Sequence, residues 1–148
     1  MVYKNQDFLQ DKNLRLKDSG SAVTSDAAAT VDGSTATLDL GAAYFEGNLV
    51  VDVSAIDVAS NDEIYLLKLI GSNSSSFASG IAVLGCLALG DTVGLGAGAD
   101  VDNGTGRYVM PFHNEKGGTG TIYRYLRLYA DVGGNSPSIT YTAFVAKS

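Results

Sequence analysis

Apolar and polar residues alternate along much of the chain from about residue 35 onward, and a period of two is typical of half-buried β-strands. In NLVVDVSAI, for example, Leu49, Val51 and Val53 fall on one face. Clusters of Gly, Asn, Asp and Ser separate such runs, as turns separate strands. The runs predicted to be strands span residues 35–40, 48–56, 63–71, 81–90, 106–112, 121–129 and 139–146. The pattern therefore predicts an all-β fold, an antiparallel jelly-roll sandwich of about eight strands.

Two of these runs are apolar almost throughout. EIYLLKLIG (63–71) is apolar on both faces, which predicts a central strand of the sandwich. IAVLGCLALG (81–90) has no periodicity of its own, but its length and the glycines beside it favour a strand over a helix. We interpret Cys86, within that run, as a small buried hydrophobe of the core.

Residues 1–34 are polar and rich in small residues, and only Leu14 and Leu16 form a short alternating piece. We predict that this segment is an extended N-terminal arm with little core of its own, and that residues 35–148 form the jelly-roll domain. Fully stretched, 34 residues at about 3.3 Å each would reach roughly 110 Å. Leu14 and Leu16 are then candidate contacts with a neighbouring chain.

Composition and charge exclude several classes of protein. The 148 residues are enough for one well-cored domain. A net charge of −6 opposes binding to a phosphate backbone, and we expect no nucleic-acid partner. No run of 18 apolar residues occurs, so no membrane partner is expected either. A single cysteine permits neither an internal disulfide nor a thiolate zinc site, and we expect no metal and no cofactor.

Three motifs suggest chemistry, and each has a simpler interpretation. GLGAGA (94–99) fits a dinucleotide-binding pattern, but no amphipathic helix follows it, which favours a surface loop. Asp100, Asp102 and Asn103 resemble part of a calcium loop, but no closing glutamate follows. His113, the single histidine, has no nucleophile or triad signature around it. We therefore expect a protein that is not an enzyme.

The segment YRYLRLY (123–129) is the most informative. Its alternation directs Leu126 and Leu128 into the core. The outward face then carries Tyr123, Tyr125, Arg127 and Tyr129. Tyrosine and arginine are enriched at the centres of protein interfaces, so this face is a candidate interface, although loops of the same chain would cover it equally well.

Three segments resemble a known family: SGSAVTSDAAATVDGSTATLDLG (19–41), RYVMPFHNE (107–115) and RYLRLYADVGGNSPSITYTAFVA (124–146). With the alternation between them, they resemble the jelly-roll capsid cement proteins of tailed bacteriophages, the type known from a Bordetella podovirus. The resemblance runs from about residue 14 to the end and is most specific in the C-terminal third, where the strand, the Gly-Gly-Asn-Ser-Pro turn and the last strand come in the family's order.

The resemblance implies a structural virion protein on the outer surface of an icosahedral head. Such a protein clamps neighbouring subunits of the major capsid protein and associates with itself, here as a dimer or a trimer. The alternative from the residues is a carbohydrate-binding β-sandwich of a tail or an adhesin, motivated by the tyrosine-rich strand. A hydrolase ranks last, because no pair of carboxylates is singled out by its spacing.

Overall fold

In a computed structural model of the chain, residues 12–90 and 104–147 are described. A 3₁₀ turn at Lys12–Leu14 precedes a series of strands. These are β1 (Arg15–Lys17), β2 (Ala27–Ala28), β3 (Thr30–Val31), β4 (Ser34–Thr35), β5 (Leu38–Asp39), β6 (Glu46–Ile56), β7 (Ile64–Ser72), β8 (Ala82–Gly90), β9 (Gly106–His113), β10 (Tyr125–Gly133) and β11 (Ile139–Lys147).

The strands form two sheets and a small hairpin. The first sheet has the order β1-β11-β6-β9, and the second has the order β2-β10-β7-β8, with β5 beside β2 along the same edge of β10. β3 and β4 form the hairpin, and every pairing is antiparallel. The prediction of an all-β antiparallel fold is confirmed, whereas the jelly-roll topology stays a prediction.

The core lies between the inward faces of the two sheets, and the predicted alternation accounts for much of it. Leu49, Val51 and Val53 of β6 are buried together, as are Leu126 and Leu128 of β10. β7 lies between β10 and β8, which confirms the central position expected for residues 63–71.

Most predicted strands differ from the structure by one or two residues at an end, and two differ more. The run at 35–40 contributes only β5 and the end of β4. The run at 121–129 becomes a strand only at Tyr125 and continues to Gly133. Before Tyr125, the amide of Tyr123 donates to the carbonyl of Asn114, and the amide of Arg124 donates to Asn73 Oδ1 at 2.9 Å. These bonds occupy backbone groups that a regular ladder would use.

The N-terminal segment is part of the sandwich in its described portion. β1 pairs with β11, and β2 pairs with β10, so this stretch joins both sheets. Leu16 is 0% exposed and Ala29 is 5% exposed, and both belong to the main core cluster. The prediction of an arm with little core of its own is therefore wrong for residues 12–34. Strands of two or three residues are too short to show a period, and for this reason the pattern missed them.

A buried asparagine fixes the end of the sandwich near β9. Asn114 is 0% exposed, and its side-chain oxygen accepts a hydrogen bond from the amide of Phe45 at 2.8 Å. Its side-chain nitrogen donates to the carbonyls of Ala43 and Tyr123, each at 3.1 Å. One side chain thus satisfies three backbone groups from two distant segments, as buried polar groups require.

A buried glutamate closes the turn before β7 in a comparable way. Glu63 accepts hydrogen bonds from the amides of Ser60 at 3.0 Å and Asp62 at 3.3 Å. Burial by itself would raise the pKa of Glu63, but these backbone donors act against it, and the net effect lowers that pKa below its usual value. The ionised carboxylate is therefore the form that the fold stabilises.

Candidate interaction surface

The edges of the two sheets differ in how well they are protected against pairing with another strand. β1 has three residues and carries Arg15, and the edge made by β2 and β5 consists of two-residue strands. β9 contains Arg107 and the exposed Pro111, which has no amide hydrogen to donate to a ladder. Short length, positive charge and proline are devices by which natural sheets blunt their edges.

β8 is less protected, and its protection is a bulge at Leu84, because Val83 and Gly85 lie opposite consecutive residues of β7. Its nine residues, AVLGCLALG, include no charged residue and no proline. It pairs with β7 on one side, and among residues 12–90 and 104–147 no strand pairs with its other side. Val83 is 56% exposed, and Ile81, directly before the strand, is 53% exposed. We call this unpaired side of Ala82–Gly90 the open edge.

Apolar side chains continue from the open edge across the outward face of β7. Leu66 and Ile70 are half-buried there, opposite Ala88 and Val83 of β8. An ion pair between Lys68 Nζ and Asp131 Oδ2, 2.9 Å apart, lies on the same face. The hydrogen bond to Asp131 raises the pKa of Lys68. These two charges compensate each other, and Arg127, opposite Ile70 on β10, adds a positive charge to this face.

Cys86 lies on this outward face and not in the core. It pairs with Lys68, whose side chain points outward, and it is exposed. The inward position beside it is Gly85, where an added Cβ would lie 2.6 Å from the Met110 methyl group. The prediction that Cys86 is a core residue is wrong, because a run that is apolar throughout does not show which face turns inward. Partial burial raises the pKa of its thiol.

The structure separates the four residues of the predicted interface on 123–129. Tyr125, Arg127 and Tyr129 lie in β10, on the face opposite Leu126, and are half-buried. Tyr123 precedes the strand. Its Cβ lies beside Gly71, the residue opposite the buried Leu126, and a Cβ added to Gly71 would be 2.9 Å from the Cβ of Tyr123. The alternation therefore does not extend to Tyr123.

Arg127 is held by loops of its own chain. Its guanidinium carbon lies 4.4 Å from the centre of the Phe77 ring. Nε donates to Thr37 Oγ1 at 2.8 Å, and a second guanidinium nitrogen donates to the carbonyl of Ser75 at 3.3 Å. An interface role for Tyr123, Tyr125, Arg127 and Tyr129 stays a prediction, with Arg127 already engaged inside the chain.

Leu14 and Leu16, the candidate contacts of the N-terminal segment, also face inward. Leu16 is completely buried, and Leu14 is half-buried against the same core. Leu16 cannot contact another chain without leaving the core. Its assignment to an interface is wrong for the folded chain, because β1 is a strand of the first sheet.

Of the residues predicted as candidates for catalysis or ion binding, the structure describes His113. His113 is exposed at the end of β9, and its ring stacks on Tyr44 with centres 6.0 Å apart. The Tyr44 hydroxyl donates to Glu46 at 2.6 Å. In the described part of the chain, no group of three or more His, Cys, Asp or Glu residues is placed to hold a metal ion. GLGAGA (94–99), Asp100, Asp102 and Asn103 lie outside the described residues.

A polar cleft of about 420 Å³ lies beside Tyr123. Its other lining residues are Asn73, Ser74, Ser79, Gly80 and Thr121. Asn73 is already committed, because its side chain bonds the carbonyl of Ile122 and the amide of Arg124. The tyrosine and the hydroxyl groups remain as the features of this cleft that suit a sugar.

The sequence contains a signal for the open edge that periodicity does not show. The run 81–90 has neither charge nor proline, which distinguishes it from 106–112 with Arg107 and Pro111. The signal becomes informative only when the strand is known to lie at an edge. That position depends on pairing between distant segments, which periodicity does not reveal.

A comparison with protein-family models finds no match to this chain, and a comparison with curated proteins finds none either. Within residues 12–90 and 104–147, no helix has the length and apolar character needed to cross a bilayer.

Proposed function

We propose that this chain is a structural virion protein, a capsid cement or decoration protein that binds the outside of an icosahedral head and stabilises contacts between major capsid protein subunits. The open edge of β8 is the observation that carries the proposal. The other described edges have short strands, positive charge or proline, whereas the nine-residue apolar edge of β8 has none of these three and is interrupted by a bulge at Leu84. An edge of that kind suits a protein that works in an assembly.

The order of the strands supports the same proposal. The sheets β1-β11-β6-β9 and β2-β10-β7-β8 each have four strands along their main path, and β5 extends the β2 edge. Two facing antiparallel sheets of this size suit the eight-stranded jelly roll implied by the resemblance of residues 19–41, 107–115 and 124–146 to phage cement proteins.

A second copy of the chain is the proposed partner of the open edge. Each copy carries a net charge of −6, so two copies repel each other over most of their surfaces. β8 has no charge, and the Lys68–Asp131 pair beside it is internally compensated. Two copies therefore meet with least repulsion at this strand. Antiparallel pairing of β8 with β8 would join the two second sheets around a twofold axis.

Cys86 gives this pairing a direct readout, because it is the middle residue of Ala82–Gly90. In full register, Cys86 of the two copies would lie opposite each other, with Cβ atoms about 5 Å apart. A short bifunctional maleimide is expected to crosslink the native protein into a covalent dimer. The matched control is the double variant Cys86→Ser, Val109→Cys, which moves the thiol to an exposed site on β9. Equal crosslinking of both proteins would reject the β8 pairing.

The function itself is tested with heads. Purified protein is mixed with empty heads of the encoding phage, before and after their expansion, and the mixtures are sedimented. Binding to expanded heads, with a rise in their resistance to heat, is expected, since a ligand selective for one state stabilises that state. Failure to bind either form of head would reject the proposal.

A carbohydrate-binding module is the second candidate, and the cleft beside Tyr123 is the observation that favours it. A glycan array distinguishes the two functions. Binding of a defined sugar that is lost in Tyr123→Ala, together with failure to bind heads, would support the module and reject the cement protein.

A further inference from the structure

A cavity of about 470 Å³ lies between the N-terminal segment and the end of the first sheet. Its walls are residues 17–25, 27–30, Gly33 and Tyr141. This volume lies within the range of pockets that hold small molecules. The cavity is separate from the open edge, and the inference below does not depend on the proposed function.

A β-bulge turns a lysine into this cavity. Arg15 lies opposite Phe144 and Lys17 lies opposite Ala143, so two residues of β1 are accommodated against one step of β11. A bulge of this kind re-aims a side chain. As a result Leu16 and Lys17 are both buried, although simple alternation would expose one of them.

The ammonium group of Lys17 has little to compensate its charge. Lys17 is 5% exposed, and its Nζ lies 5.2 Å from the centre of the Tyr141 ring. Among the described residues, the hydrogen bond available to Nζ goes to the carbonyl oxygen of Asp18 and is long, at 3.4 Å. No carboxylate of these residues lies within ion-pair distance of Nζ. A buried charge is ordinarily paired, and an ammonium has three protons to donate.

Tyr141 contributes a second group that is missing a partner. It is 1% exposed, and its hydroxyl is buried without a hydrogen-bond partner in the described part of the structure. Both Tyr141 and Lys17 line the cavity. A buried cation with one long hydrogen bond and a buried hydroxyl with none, on residues that line one cavity, indicate a ligand with acceptor oxygens and negative charge.

We propose that this cavity binds a carboxylate, with the Lys17 ammonium compensating its charge and the Tyr141 hydroxyl donating to one of its oxygens. The single ammonium can compensate one negative charge, and a second would be repelled by the carboxylate of Asp18, which also lines the cavity and accepts the amide of Asp32 at 2.7 Å. A phosphate dianion would meet one cation and one carboxylate. The carboxylate comes from a small organic acid or from an acidic side chain of another polypeptide.

The hydroxyl-rich wall suits the rest of such a ligand. Ser19, Ser21, Thr24 and Ser25 belong to the lining, and each offers a donor and an acceptor. The site therefore has a charged, largely buried end and a polar wall.

The test compares charged ligands with neutral ligands of the same shape in the full-length protein. Acetate is titrated against acetamide at constant ionic strength, with calorimetry and the tyrosine and lysine NMR resonances as readouts. Acetate is expected to bind with a Kd below about 100 mM, and acetamide at least about tenfold more weakly. Equal binding of acetate and acetamide would overturn the proposal. It would also be overturned if neither acetate nor a second carboxylate probe, N-acetyl-glutamate N-methylamide, binds.

Variants then assign the binding to the two side chains. Lys17→Met is expected to weaken acetate binding at least about tenfold, and Tyr141→Phe about threefold or more. Lys116→Met, which removes an exposed loop lysine, is the matched control and is expected to bind like the native protein. Native-like binding by Lys17→Met would overturn the proposal. If that variant fails to fold, shifts of the Lys17 and Tyr141 resonances in the native protein decide, and their absence would also overturn it.

A second pair of probes distinguishes a small organic acid from an acidic side chain as the source of the carboxylate. N-acetyl-glutamate N-methylamide represents an acidic side chain of a polypeptide, and the glutamine analogue is its neutral control. Tighter binding of the glutamate probe than of acetate supports a polypeptide side chain, and the reverse order supports a small acid. Equal binding of the glutamate and glutamine probes, with no acetate binding, would overturn the proposal.

Discussion

Leu16→Ala tests whether the N-terminal segment belongs to the folded domain. Leu16 is 0% exposed and lies in the main core, in a strand bonded to β11. Truncation to alanine removes three carbon groups, worth about 0.8 kcal/mol each in lost burial, or roughly 2.4 kcal/mol together. The cavity left behind adds to this, so the free energy of unfolding is expected to fall by about 3–5 kcal/mol.

The assay is urea-induced unfolding at equilibrium, followed by circular dichroism and by tyrosine fluorescence. The midpoint is expected to fall while the slope of the transition stays constant, which signifies lost stability and an unchanged extent of unfolding. Leu14→Ala is the matched control, since Leu14 is only half-buried and its loss is expected to cost clearly less. A change below about 0.5 kcal/mol in Leu16→Ala would refute the reasoning and restore the independent arm.

Three further predictions concern the open edge and the buried polar groups. Val83→Lys is expected to abolish self-association in analytical ultracentrifugation without loss of thermal stability. The control Val109→Lys, on β9, is expected to associate like the native protein. Association of both variants would place the contact elsewhere. Asn114→Ala removes the partners of three backbone groups and is expected to cost about 3 kcal/mol in urea unfolding, and a loss below about 1 kcal/mol would contradict the role given to this side chain. The pKa of Glu63 is lowered on folding, so its carboxylate contributes stability above about pH 4.5, and this stability is lost as the pH falls through the folded pKa. Glu63→Gln is therefore expected to be less stable than the native protein at about pH 7 and to lose less further stability at about pH 3. An unchanged pH profile of stability would contradict this.

The long strands and the inward faces of β6 and β10 were predictable from the sequence, because each run is long enough to show its period. Leu49, Val51 and Val53 illustrate this, and all three are buried as the alternation requires. β7 was also recognisable as central, since its sequence is apolar on both faces. The glycine-rich boundaries placed most of these strands within a few residues of their bounds in the structure.

The remaining features depend on pairing between distant segments. The bulge that buries both Leu16 and Lys17 is set by the register of β1 on β11, which three residues of sequence do not encode. Cys86 faces outward because Gly85 turns inward toward Met110. The open edge became visible only when β8 was placed last in its sheet. The candidate surface and the Lys17 cavity therefore both required the fold.

The pairing of β1 with β11 determines how the protein responds to tension. The first and last strands are neighbours in one ladder and run in opposite directions, with Arg15 opposite Phe144. The start of β1 and the end of β11 therefore lie at the same end of the first sheet. A force that pulls these two ends apart would break the hydrogen bonds between β1 and β11 one after another, and not all at once.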